Sequence, residues 1–470
     1  MNIKLFIITM LSITIFLQAQ KVDSYEISAE FFPEDAQMYN NPVSPDAFMR
    51  AYSTVKFADL NGDELIFYLH GELDIDSVLA DHKKIESKSE QVLFYYSYNM
   101  VALKVTISST DVIADKEIRI YYSGFINPSR ARGLSDYMFV DRTKGVFLRS
   151  YGYSLWFPIF IQSDQDSYDV DFKKVTVKLP ADFKCIVAGE LVDEYVENDI
   201  YTAVWKPGIT DITDIQCAAQ RYQIVSKENV FVYYISDKSN GEKILDYAIQ
   251  LKELYSKNLR AVNEAVSLYI MEMPRYGDIS SGNVVGVSEK NFSSFDDGLI
   301  SKLTIAHELV HPYVEIPVSI KNPFYAFVVE GFPSFFQVYA LKRIDGESYD
   351  LDKVMRGIEK SYLEKRRTGK TRRGNKLPVE KPILKIEYNE IGSYKDRFVL
   401  RDRVWLFFYD IWNQMGDDNF DKFLKELFLL NSINYENFEE LILKYLPDYG
   451  EKLNIWLNTT DYPGELRLVN

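Results

Sequence analysis

Histidine and cysteine are the scarce residues of this 470-residue chain, with four of the first and two of the second. Two cysteines exclude a disulfide-rich scaffold and a cysteine-based zinc module, because neither Cys185 nor Cys217 has a partner at metal-ligand spacing. Each sits in an apolar, strand-like run, which leaves open either one disulfide or two buried thiols. Positive charge is also in deficit. Fifty-four Lys and Arg face 69 Asp and Glu, a net charge of −15, which argues against general nucleic-acid binding. Beyond the N-terminus no apolar run is long enough to cross a membrane.

Residues 1–20 read as a Sec-type signal peptide. Lys4 supplies a positive start, Leu5 to Leu17 is apolar but too short for a bilayer span, and Leu17-Gln18-Ala19 is a small-residue cleavage signal. No cysteine follows that could carry a lipid. The expectation is an exported protein, periplasmic or secreted, with no membrane span after cleavage. An uncleaved N-terminal anchor is the alternative.

What is abundant is core-forming material. A hydrophobic fraction of 47% and an aromatic fraction of 15% can fill the cores of two or three domains. Residues 21–225 read as an N-terminal β domain. Short runs such as Glu64–Leu69, Glu117–Tyr122 and Val175–Leu179 are rich in β-branched and aromatic residues, with turn residues between them. Such repeated strands predict a β-sandwich or saddle. His70 and His82 fall there without a carboxylate or cysteine partner and read as ordinary polar histidines.

From residue 226 the texture changes. A strand, Asn229 to Ile235, is followed by helical spacing over Gly241–Glu264 and a second strand over Val266–Met271. Further helical patterns cover 324–340, 397–415, 420–430, 435–445 and 450–457. Residues 226–470 therefore read as a mainly helical catalytic domain with a small β-sheet. The expected fold class is multidomain α+β. One basic run, Lys365 to Lys376, interrupts this half. It reads as a solvated loop after a helix, or as a contact for an acidic partner or a processing site.

Two of the four histidines carry the sharpest signal. His307-Glu308-Leu309-Val310-His311 is an HExxH pentad, and Glu330 follows after 18 intervening residues. On a helix, positions i and i+4 share a face, so His307 and His311 can address one zinc ion, with Glu330 as third ligand. Glu308 lies beside them as a general base for a zinc-bound water. A stray histidine pair on a surface helix is the bland reading. Asp296 or Asp297 could cap this helix, and Pro312 should kink or end it, since proline removes the N–H that would bond the Glu308 carbonyl.

This constellation, with Val329-Glu330-Gly331-Phe332, resembles the HExxH-x18-E signature of the aminopeptidase N and leukotriene hydrolase-like family of gluzincins. Tyr394-Lys395 stands where that family has its catalytic tyrosine, and Trp456-Leu457 to Pro463 resembles the end of its catalytic domain. The resemblance implies a β saddle before a thermolysin-like domain, one Zn2+ ion, a peptide or protein substrate, and Tyr394 as oxyanion donor. Two departures stand out. The family's amine-binding Glu is missing from Ser280–Gly286, which leaves Gly282 and Asn283, with Glu289 nearby, as substrate-binding candidates. The chain also ends after the catalytic pattern, so no helical C-terminal domain is expected. The reading is an exported zinc metallopeptidase with a degenerate amine site. The alternative is a catalytically impaired gluzincin-fold peptide-binding or scaffold protein.

Overall fold

The computed structural model describes residues 20–33, 47–60, 62–94, 100–112, 116–126, 138–141, 145–148, 154–160, 168–212, 215–259, 266–273, 278–295, 299–314, 323–346, 349–370, 374, 376–377, 379–386, 399–430 and 432–464. The signal-peptide reading, Asp296 and Asp297, Tyr394, and residues 371–373 and 375 of the basic run lie outside them. The architecture is the expected multidomain α+β fold: β-rich sheets first, then a helix-dominated region.

Among the described residues the first part contains a nine-stranded sheet. It runs in space from Glu190–Glu197 through Ile200–Lys206, Asp169–Pro180, Gln20–Phe32, Ala47–Leu60, Glu117–Ile126 and Leu73–Ala80 to Lys83–Ile85, with Gly208–Asp211 also on Asp169–Pro180. Two four-stranded sheets pack with it around Trp156, Trp205, Tyr25 and Phe172. Its tight hairpins turn on paired left-handed residues, Asp81-His82 and Asn198-Asp199, whose φ values of 46°, 59°, 49° and 62° suit the twist of two-residue hairpins. His82 is thus a turn residue. Cys185 and Cys217 are buried free thiols on paired strands, where Cys185 faces Ala219 and Cys217 faces Val187. Burial pushes the Cys185 thiol up to about 12.

His70 is buried, and its Nδ1 accepts the N–H of Glu72 at 3.2 Å. Burial pushes its imidazole from 6.5 down to about 4. The neutral ring therefore stabilises the fold fully above the unfolded value, and that contribution is lost as pH falls from there towards the folded value. His70→Asn keeps an acceptor without the titration. Between about pH 7.5 and about pH 5 the wild type should lose about 2 kcal/mol more stability than this variant. Parallel urea curves at the two pH values would show no such difference if the ring were charged in the fold.

A five-stranded sheet joins the two parts, in the order Gln223–Lys227, Val230–Tyr234, Leu268–Met273, Val284–Ser288, Ile279–Ser281. Strand side chains alternate between faces, and here each face meets a different core. Val230, Val232, Ile270, Val285 and Val287 enter the helical core. Tyr233, Tyr269, Met271, Met273 and Val284 enter the β core, where Tyr269 meets Trp205 edge-on at 5.1 Å.

Among the described residues the α-helices are α1 (Lys238–Asn258), α2 (Glu289–Ser293), α3 (Leu299–Val314), α4 (Phe332–Asp345), α5 (Leu351–Thr368), α6 (Val404–Met415), α7 (Asp417–Phe428), α8 (Tyr435–Tyr445) and α9 (Gly450–Asn458). Their ends follow capping rules: Asp237 accepts the N–H of Ser239 at 2.9 Å, and Gly369 closes α5 at φ 62°. Among the described residues no helix is long and apolar enough to cross a membrane.

The expectation of no helical C-terminal domain is corrected by this structure, because Leu299 to Asn458 form a large helical region. Aromatic residues from α4, α6, α7, α8 and α9 share one core. Helical periodicity shows each helix separately, and does not show where one packed group ends and another begins.

Candidate active site

α3 carries the HExxH pentad. Ile305, Ala306, Leu309, Val310, Tyr313 and Val314 bury one side of it, and this leaves His307, Glu308 and His311 half-buried on the other. Pro312 does not end the helix, which runs on to Val314. Only the last turn is affected, where few N–H bonds remain to be lost. The His307 and His311 rings lie 5.2 Å apart, centre to centre, and nearly perpendicular at 78°. Burial, together with His307, pushes the His311 imidazole down to about 3, so it is held in the neutral form that can ligate a metal.

Glu330 comes from a π-turn, Phe327–Gly331, that leads into α4. A π-turn adds one residue to a helical turn and is often found at functional sites. Phe327, Val328 and Gly331 are buried while Glu330 is half-buried. Gly331 permits this packing, since a Cβ there would lie 3.1 Å from the Phe327 ring and 3.4 Å from Val404. The turn brings Glu330 Oε2 to 3.8 Å from His307 Nε2.

Two imidazoles and a carboxylate are the donor set of a catalytic zinc site, in which donors on a tetrahedral ion stand about 3.4 Å apart. The donor chemistry therefore suits zinc, and the His307–Glu330 pair is a few tenths of an ångström wide of that spacing. Among the described residues, however, no group of three or more His, Cys, Asp or Glu side chains closes into a ready-made metal site.

The hairpin Ile279–Ser281 and Val284–Ser288 packs against α3. Gly282 (φ 54°) and Asn283 form its turn. The Asn283 side chain donates to the carbonyls of Gly189 at 2.8 Å and Ser267 at 2.6 Å, and accepts the N–H of Gly189 at 2.7 Å. It thus pins the hairpin to the β domain. Glu289 is exposed at the start of α2. Asp278, to which the sequence reading assigned no role, accepts from the Ser288 N–H at 2.8 Å and from Asn291 Nδ2 at 2.7 Å. Burial raises its carboxyl pKa. An aspartate just before a Ser/Gly turn gives no sequence signal of that brace.

Two charges of the basic run are built into the structure. Lys365 pairs with buried Asp402. Arg366 pairs with Glu380 at 2.6 Å and donates to the carbonyl of Thr460.

No protein-family profile and no curated protein matches this chain. Solved structures do. A mutant of the M1 zinc metallopeptidase of Deinococcus radiodurans superposes with a TM-score of 0.60 at 11% identity, over 96% of this chain and 98% of that one. A mutant of the same protein bound to a Tyr-Ser-Ala substrate gives 0.58 at 12%, over 96% and 97%. Native yeast LTA4 hydrolase gives 0.62 at 15%, over 96% and 69%. The chain has an M1-peptidase-like fold. The match to nearly the whole Deinococcus chains includes the helical C-terminal region, and so corrects the expectation of its absence a second time. At these identities the likeness is one of fold.

Proposed function

We propose that this protein binds peptide or protein chains in a gluzincin-type cleft over α3 and the π-turn, and that turnover in that cleft is impaired. The observation that carries this reading is the hairpin beside α3. Where an acidic amine-binding residue is expected, the turn is Gly282-Asn283, and the Asn283 side chain is committed to Gly189 and Ser267. The lack of a closed three-ligand group among the described residues agrees with it. A Tyr-Ser-Ala complex of a like-folded protein supports a peptide as the ligand class. The site would act outside the cytoplasm, after loss of residues 1–20.

A second reading, an exported zinc metallopeptidase, is favoured by the 3.8 Å approach of His307 and Glu330. His307, His311 and Glu330 would hold one Zn2+ ion, which when bound supplies a Lewis acid and makes water more acidic. In that reading Glu308 takes the proton of the attacking water and passes it to the leaving amine. Tyr394 donates to the oxyanion.

Metal analysis, calorimetry and a mixed-peptide digest of wild type and Glu308→Gln separate the two. The first reading expects peptide binding with equal, background cleavage by both proteins. Cleavage by wild type that falls about 100-fold or more in Glu308→Gln, the usual scale of general base loss, would establish the second reading. Failure to bind or cleave any peptide would remove both. Free and N-acetylated peptides should bind alike, because the turn offers Gly282 and Asn283 where an acidic side chain would bind the amine.

A further inference from the structure

The strand Glu190–Glu197 is the outer edge of the nine-stranded sheet, and among the described residues it pairs on one side only, with Ile200–Lys206. Seven of its eight residues are exposed, with Leu191 half-buried. Val192, Tyr195 and Val196 are 57%, 46% and 54% exposed, and Tyr195 and Val196 point to opposite faces. Edge strands are normally protected against strand addition by charged side chains, proline, a bulge or short length. This one has no Lys, Arg or Pro, and its protection consists of four carboxylates and a bulge at Val192, which admit a strand of opposite charge.

Its charge pattern says what can be added. Glu190-Leu191-Val192-Asp193-Glu194-Tyr195-Val196-Glu197 reads the same from either end as acidic, apolar, apolar, acidic, acidic, apolar, apolar, acidic. A second copy, paired antiparallel about its centre, would set Glu190 against Glu197 and Asp193 against Glu194. Like charges directly opposite are destabilising, so the pattern disfavours self-pairing. Among the described residues, only Glu194 is offset within the fold, by Lys184 at 3.0 Å and the Tyr201 hydroxyl at 2.8 Å. The strand starts next to Gly189, which Asn283 fixes to the hairpin beside α3.

We propose that the edge Glu190–Glu197 docks an extended segment of a partner protein with basic residues at the acidic positions and apolar residues between, added as an antiparallel strand. Backbone N–H and C=O groups of the open edge supply the affinity, and the carboxylates select charge and register. The inference stands apart from the chemistry of the cleft.

The probe is a fluorescent octapeptide, Lys-Val-Val-Lys-Arg-Val-Val-Lys, titrated into the mature full chain and followed by anisotropy. Wild type should bind it, and a version N-methylated at every peptide bond should not bind, because it keeps the charge but has no N–H to offer from either edge. Asp193→Lys combined with Glu197→Lys should weaken binding about tenfold, each reversed cross-strand pair contributing a few-fold. Both positions are exposed, and circular dichroism checks that the variant is folded. Glu308→Gln should bind as wild type does, so failure of the cleft reading leaves this result intact. No binding by wild type, or equal binding of the N-methylated peptide or by the charge-reversed variant, would overturn the proposal. So would a wild-type dimer in sedimentation that Val196→Lys dissociates, since the occupant would then be a second copy.

Discussion

Arg403→Leu should lower the stability of the helical region by about 3–5 kcal/mol, the usual result of breaking a buried ion pair from one side. Arg403 is fully buried at the end of a second π-turn, Val399–Arg403, which packs against the one that carries Glu330. Its Nη1 reaches Glu380 and the Tyr362 hydroxyl, each at 3.0 Å. Nε donates to the Trp456 carbonyl at 2.9 Å, and Nη2 is shared among the carbonyls of Ile455, Thr459 and Asp461 at 2.7, 2.8 and 2.9 Å. Leucine fills part of the volume and bonds none of them. Glu380 would keep only Arg366 and the Tyr362 hydroxyl, and the last turn of α9 would lose donors that satisfy its free carbonyls. Arg403→Lys keeps the charge without the planar fork and should fall between. Urea unfolding followed by tryptophan fluorescence measures this, since Trp456 reports directly on the network. A loss below about 1 kcal/mol, the scale of a surface pair, would show that the network relaxes at little cost.

The second large effect belongs to the reading in which His307, His311 and Glu330 hold zinc. His311→Ala should lower zinc affinity more than about 100-fold, because loss even of a group that only supports a ligand costs about 10–100-fold. His307→Ala and Glu330→Ala should behave alike, whereas His70→Asn should keep the wild-type value. Competition with a coloured chelator reads this without any activity assay. Full zinc affinity in His311→Ala would show that the HExxH pair is not the ligand set. The stability of the three ligand variants in chelator should match that of chelator-treated wild type, which separates metal loss from misfolding.

The sequence made much of this arrangement legible. Period-two runs placed the sheets, and the helix Tyr435–Tyr445 came out at its structural bounds because its Asn434 cap and apolar face agree. The His307–His311 face followed from helical geometry alone. Three features did not follow. The π-turn at Phe327–Gly331 has no periodic signature, because one added residue is invisible in a run already full of aromatics. The basic run looked solvated, yet Lys365 and Arg366 find partners at Asp402 and Glu380, which are remote in sequence. The extent of the helical C-terminal region was misread because shared packing, rather than local pattern, defines it.

The π-turn also gives the spacing between His311 and Glu330 a meaning that counting does not. Each residue of a regular helix advances about 100° around its axis. Deleting one residue within Phe327–Gly331 would therefore leave a regular, well-formed α-helix. Glu330 would be turned about a quarter of the way round from His307, or the helix α4 rotated out of its core. Natural variation in this segment should accordingly be by substitution, and a single-residue deletion should be the most disabling change of its size in the chain.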